Sequence, residues 1–285
     1  MSFLKSDGAS THARPIKSGG IWKLASPKEG SEELEELVLR VQGILCKKDL
    51  PPLHKPGYIA TNRLKYVSQS IALTGLGSSL FQACFDAVYD IHQCISQHFP
   101  ENSLEDLPQT SHEDYPEITA SNRYFTPQHL ALSEDLIPFK KCVDPQKILQ
   151  YAAIGSAFVH TVENEVEYFE LKVEDGGSKQ YETMNPALFR IGDIVEAQIS
   201  FLVVPIKNNY HFRVMPILRA ITLLDSKFQK DSAILRNRAQ KTYIPCDPKP
   251  TLKPIILKRK VGYLDDDVEE NQKKILKMTI DDESQ

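Results

Sequence analysis

The stretch R190-I-G-D-I-V-E-A-Q-I-S-F-L-V-V-P-I-K207 runs on through N208-N209 into Y210-H-F-R-V-M-P-I-L-R-A-I-T-L-L-D225, and its reading decides the fold. Val195, Ala197, Ile199, Phe201 and Val203 alternate with Glu196, Gln198 and Ser200, the period-two pattern of a strand with one buried face. Asn tolerates the positive φ of a two-residue hairpin turn, so Asn208-Asn209 sets the pairing. Under that turn Val203 faces Val214, Ile199 faces Leu218 and Ala197 faces Ala220, whereas a three-residue turn would set Val203 against Arg213. Pro216 has no N–H to give a ladder, so a bulge or an edge is expected there. Phe201 then belongs in the core, with Gln198 and Ser200 more exposed.

Upstream, Ala157 to Val162 and Val166 to Val173 read as a second hairpin around Glu163-Asn164-Glu165, with Val162 opposite Val166, Val159 opposite Phe169 and Ala157 opposite Leu171. Asp144-Pro145 reads as the N-cap and first position of a short helix ending at Gly155. Earlier in the chain the period changes. Leu34, Leu37, Val38, Val41, Ile44 and Leu45 recur at helical spacing behind Glu32 and Glu33. A second helix is expected over 62–73 and, after the break G75-L-G-S-S79, a third over 80–98. The fold class expected is therefore α+β: a helical layer over 31–99, an acidic linker over 100–122, and a β-rich domain of antiparallel hairpins over 123–228. Residues 1–30 and 229–285 read as flexible, charged tails.

A hydrophobic content of 41% in 285 residues can bury a real core, while a net charge of −4 gives no global reason to bind nucleic acid or an anionic membrane. Cys46, Cys84, Cys94, Cys142 and Cys246 form no C-x-x-C pair, which argues against a disulfide framework or zinc ribbon and for a reducing compartment. No apolar run has the length of a membrane span. G75-L-G lacks a third glycine, and no G-x-x-x-x-G-K-[ST], G-x-S-x-G or H-E-x-x-H occurs. On the expected third helix Cys84 lies ~15 Å along the axis from Cys94, and His92 points away from the face that Cys94 and His98 share. Cys84 reads as a small core residue there, and no metal site is expected. Glu163, Glu165, Glu167 and Glu170 read as a solvated hairpin tip, and His160 and His211 as ordinary sheet residues. Neither an enzyme nor a cofactor is indicated.

What remains is the distribution of charge. Residues 210–260 hold twelve Lys/Arg against three Asp/Glu, and 264–285 reverse this with eight acids against three Lys. His211, Arg213 and Arg219 fall on the outer face of the second long strand beside Met215 and Ile217, with Arg236, Arg238 and Lys241 following. A β-surface mixing cations with apolar groups is how small barrels hold single strands. That face lacks an aromatic platform, because Tyr210 and Phe212 fall on the inner side. These six basic residues are the candidate set for weak, sequence-indifferent binding of single-stranded nucleic acid, with the acidic tail competing against phosphate. The alternative is a protein-interaction or assembly module meeting its partner through a sheet edge or helical face. Either fits an intracellular protein, nuclear or cytoplasmic, with no membrane partner.

The block F189-R-I-G-D-I-V-E-A-Q-I-S-F-L-V-V-P-I, with L218-R-A-I-T-L-L-D225 and L257-K-R-K-V-G-Y263, resembles a recurring group of uncharacterised proteins of mushroom-forming (basidiomycete) fungi, over roughly residues 120–265. That resemblance implies no activity, cofactor or site. Φ-x-x-G-D-Φ-V ahead of a long hairpin is also similar to the way strands open in OB-like and SH3-like barrels, a likeness of fold that carries no function.

Overall fold

The computed structural model describes residues 13–18, 21–27, 33–53, 61–131, 134–174, 177–206 and 210–227. The strands are β1 (Arg14–Ser18), β2 (Ile21–Pro27), β3 (Leu34–Glu36), β4 (Leu39–Asp49), β5 (Ser68–Thr74), β6 (Ser111–His112), β7 (Tyr115–Arg123), β8 (Thr126–Pro127), β9 (Phe158–Val159), β10 (Glu167–Val173), β11 (Lys179–Thr183), β12 (Ile194–Ile206) and β13 (His211–Asp225). Among the described residues two α-helices accompany them, α1 (Ser79–Ser96) and α2 (Ile148–Ala153). Within the main sheet the pairings β12–β4, β4–β5, β5–β7, β7–β13 and β13–β12 return to their starting strand, so five strands close a barrel. Four of these contacts are antiparallel, and β7 with β13 is parallel through Ser121 and Ile217. The sheet continues from β12 through β2 to β1, and from β13 through β10 to β11.

The long hairpin keeps its expected register through most of its length: Val203 faces Val214, Leu202 faces Met215 and Ile199 faces Leu218. The turn at Asn208-Asn209 lies outside the described residues. Pro216 does not disturb the pairing and sits opposite Phe201. The irregularity comes later, where Gln198 faces Ala220 and Ile199 faces Leu218, leaving Arg219 as the extra residue of a bulge and moving Ala197 to Ile221. Phe201 is buried as expected, but so is Ser200, because the guanidinium of Arg219 covers its hydroxyl.

The structure is β-rich, and of the three helices expected over 31–99 it contains the third. Residues 39–49 form the barrel strand β4 instead of a helix, and the reason lies at Gly43. A Cβ there would meet the Phe81 ring of α1 at 2.9 Å, so the inward position between Val41 and Leu45 has to be glycine. With that position blank, the inner series Val41 and Leu45 shows a spacing of four and imitates a helix. Residues 61–66 make a 3-10 turn and 68–74 the strand β5, in which Ile71, Ala72, Leu73 and Thr74 are all buried. A strand covered on both faces does not alternate.

The stretch read as a linker holds β6 and β7, and β7 pairs with β5 along its length from Ser68–Arg123 to Thr74–Glu117. Only one of its buried residues is a large apolar one, Ile118, the others being Glu117, Ala120 and Asn122. Asn122 donates from Nδ2 to the carbonyls of Glu163 and Leu218, an amide tie in place of apolar packing. The expected hairpin over 157–173 does not form. Phe158–Val159 pair with Thr126–Pro127, residues 162–164 make a 3-10 turn, and β10 pairs with β11 and, in parallel, with β13. Part of the stretch read as an N-terminal tail is ordered, since Arg14–Ser18 and Ile21–Pro27 form an antiparallel pair. Residues 228–285 lie outside the described residues.

Helix α1 lays Phe81, Cys84, Val88, Ile91, His92 and Ile95 against the core. Cys84 is the small core residue it was expected to be, whereas His92 is buried, with Nε2 2.9 Å from the Glu105 carbonyl oxygen. The short helix α2 starts later than expected, and the Asp144 carboxylate reaches forward to accept from the Gln150 amide. At Gly75 the chain passes close against α1. A Cβ at that position would lie 2.3 Å from Phe81 Cβ, an atom with no freedom to retreat. Gly75→Ala is therefore expected to cost about 1–2 kcal/mol in a urea melt through overpacking; an unchanged midpoint would mean that the first turn of α1 is not held against β5.

Candidate nucleic-acid interface

Of the six candidate residues, the three that are described, His211, Arg213 and Arg219, do not form one free cationic face. Arg236, Arg238 and Lys241 lie outside the described residues. His211 is exposed beside a depression of about 520 Å³ in which Trp22, Phe99 and Phe212 stack edge to face or tilted. Phe212 is partly buried there, while Tyr210, expected on the inner face, is 79% exposed. Arg213 is neutralised by Glu105, whose carboxylate accepts from Nε at 2.7 Å and lies 2.6 Å from the terminal nitrogen. Arg219 is half-buried and fully engaged. It bonds Ser200 Oγ at 2.9 Å, Glu36 at 2.6 Å and Glu163 at 2.9 Å, while Glu163 also takes Lys23 at 2.7 Å.

That network is a product of the bulge. The extra residue in β13 brings the Arg219 guanidinium over Ser200 and among carboxylates from β3 and from the turn before β10. Glu163 is thus a structural anion and not part of a solvated tip. Burial alone would raise its carboxyl, but Lys23 and Arg219 outweigh that and hold it below the usual carboxylate range. Glu165 and Glu167 are likewise engaged, both by the Lys140 ammonium. His160 is largely buried, stacked on Phe139 with Nδ1 donating to the Tyr124 carbonyl, and burial lowers its pKa.

Beside this network the outer surface of the barrel carries a groove of about 440 Å³. Its floor is apolar: Ile21 from β2, Leu202 and Val204 from β12, Met215 and Ile217 from β13. The apolar half of the expected surface, Met215 and Ile217, is therefore in place. Arg219 lines the groove too, already paired, and the cations left open to solvent are different ones. Lys65 and Tyr66, from the 3-10 turn before β5, and Arg123, from the end of β7, line the groove as well. Tyr66 is 71% exposed, and the Lys65 ammonium sits 4.8 Å from its ring centroid. Among the described residues neither Lys65 nor Arg123 has an ion-pair partner, so both charges face solvent. Glu134 and the paired Glu163 supply the negative charge of the lining.

Sequence reasoning missed Lys65, Tyr66 and Arg123. The signal was present as two short basic-aromatic runs, R63-L-K-Y66 and R123-Y-F125, but they stand almost sixty residues apart, in stretches read as a helix and as a linker boundary. Only the β5–β7 pairing brings them to one surface.

No family model matches the chain, and no curated protein matches it. Among solved structures it is similar to gp2.5, a single-stranded DNA-binding protein encoded by bacteriophage T7, at 10% identity and a TM-score of 0.37, covering 66% of this chain and 86% of that one. It is also similar to the single-stranded DNA-binding protein from bacteriophage Enc34, C-terminally truncated, at 10% identity and a TM-score of 0.31, covering 75% and 94%. At TM-scores this low neither likeness bears on what the groove binds. Among the described residues no helix is long and apolar enough to cross a membrane.

Proposed function

We propose that this protein is a non-enzymatic binding module and that the groove takes single-stranded nucleic acid. The observation that carries the reading is the pairing of an apolar floor with an exposed tyrosine and two unpaired cations on one surface. Bases have apolar faces to lay on Leu202, Val204 and Met215, Tyr66 offers a stacking plane, and Lys65 and Arg123 stand where a phosphate backbone would run. Double-stranded nucleic acid does not suit such a site, since its bases are already stacked.

The topology supports the same placement. A five-stranded barrel in which the first three strands pair in sequence, the fifth runs parallel to the third and the fourth returns to the first is an OB-like arrangement, here β4, β5, β7, β12 and β13. Oligonucleotides bind OB folds on the face of the second and third strands and at the loop joining the first two. In this protein that is the face of β5 and β7, with the segment holding Lys65 and Tyr66.

Affinity should be weak, because Lys23 and Arg219 are already paired with carboxylates in the lining. The acidic residues 264–285 would compete for the remaining cations, so truncation before Leu264 should tighten binding. Fluorescence anisotropy of a labelled oligonucleotide against the truncated protein at low salt is the test. Tyr66→Ala should weaken binding about tenfold, and replacing Lys65 and Arg123 by Ala should flatten the salt dependence by about 0.7 per lost phosphate contact. Absence of binding at micromolar protein would remove the proposal and favour a protein partner.

A further inference from the structure

On another part of the barrel, β4 and the β6–β7 hairpin bring together three side chains of different chemistry. One donor atom each from Cys46, His112 and Glu117 lies within 4.8 Å of the other two. Cys46 and Glu117 are buried and His112 is half-buried. The Cys46 thiol is 3.8 Å from Glu117 Oε2 and donates to the Ala72 carbonyl at 3.2 Å.

Two backbone devices set this arrangement. In β4 Leu45 faces Leu73 and Lys47 faces Ala72, so Cys46 is the extra residue of a bulge. Cys46 and Lys47, which would point to opposite sides of a regular strand, consequently both reach Glu117, with Lys47 Nζ 2.9 Å from each carboxylate oxygen. His112 is brought in by a two-residue turn, Glu113-Asp114, whose φ values of 49° and 66° place it opposite Tyr115 at the start of β7.

A cysteine, a histidine and a carboxylate can also form a nucleophilic relay, but that chemistry needs the imidazole between thiol and acid. Here the thiol touches the acid directly. Burial and then the Glu117 charge push its pKa up, and Lys47 offsets this in part. Such a thiol is a poor nucleophile. A divalent cation reverses the situation, since a coordinated thiol gives up its proton outright.

We propose that Cys46, His112 and Glu117 form a three-ligand site for one zinc-class divalent ion, with Lys47 as a displaceable counterion. On binding, the Cys46 S–H proton leaves to solvent as the sulfur–metal bond forms. Thiolate and carboxylate then balance the two positive charges, and neutral His112 completes the set. Zn²⁺ takes these donor types, and three protein ligands leave a fourth position for water. Bond lengths of about 2.0–2.3 Å imply donor separations of about 3.6 Å. The sulfur–oxygen pair at 3.8 Å already meets this, and the widest separation, at most 4.8 Å, closes by side-chain rotation. The Lys47 side chain is 59% exposed, so its ammonium can withdraw into water.

The test is a Co²⁺ titration of the full chain under a phosphine reductant. A thiolate-to-cobalt charge-transfer band should saturate at one equivalent and be displaced by Zn²⁺. Cys46→Ser should abolish the band, and His112→Ala, on a half-buried hairpin, should weaken binding by more than about tenfold. Lys47→Met should tighten it, because the competing ammonium is gone. Melts in the absence of metal confirm that each variant is folded. No band under excess Co²⁺, a band that survives Cys46→Ser, or an affinity that falls in Lys47→Met would each overturn the assignment.

Discussion

Phe201→Ala is expected to destabilise the protein by about 3–5 kcal/mol, the range for removing a buried aromatic ring from a core that cannot collapse around the gap. Phe201 is 1% exposed and sits in the middle of β12, where Val203 and Ile199 are also fully enclosed, as is Leu218 of β13. Its pairing with Pro216 leaves the neighbouring backbone little room to adjust, because the proline ring fixes φ. A urea melt with unchanged slope and a midpoint lowered to match is the result expected. A loss below about 1 kcal/mol would mean that the strand is shifted by one residue, since a slip exchanges its two faces.

Arg219→Met is expected to cost about 2–3 kcal/mol, below the figure for a fully buried pair because Glu36 and Glu163 keep some contact with water. Methionine fills much of the space, so the loss isolates the charge: two carboxylates remain with only Lys23 beside one of them. The dependence on pH gives the sign. Glu163 has a folded pKa held below its unfolded value, so its contribution is present above the ordinary carboxylate range and disappears as pH falls through the folded value. The deficit of Arg219→Met should therefore be full at neutral pH and narrow on acidification as the orphaned carboxylates take up protons. A deficit that grows with acid would contradict the assigned network. The same variant separates structure from recognition, because a guanidinium already engaged by two carboxylates should contribute little to oligonucleotide binding.

The hairpin from Ile194 to Asp225 was legible because its two faces differ and its turn residues select one length. Its bulge was not. Nothing about Arg219 in one dimension distinguishes it from Arg213, and the residues that hold it, Glu36 and Glu163, come from distant segments. Helix α1 was legible by its apolar stripe. The strands β4 and β5 were not, one because Phe81 occupies the space opposite Gly43 and erases the alternation, the other because both its faces are covered. β7 was hidden by composition, since a strand whose buried positions include Glu117, Ala120 and Asn122 reads as polar loop. The groove followed the same rule. Met215 and Ile217 sit on the hairpin that could be read and were found, whereas Lys65, Tyr66 and Arg123 sit on β5, β7 and their approaches and were not.

Ultraviolet crosslinking of a single-stranded oligonucleotide to the full-length protein, followed by peptide mapping, tests the proposed placement in the groove most directly. That placement calls for an adduct on the peptide that contains Tyr66, lost in Tyr66→Ala while the fold persists. Adducts confined to the Trp22, Phe99 and Phe212 depression or to residues beyond 227, with none at Tyr66, would contradict it.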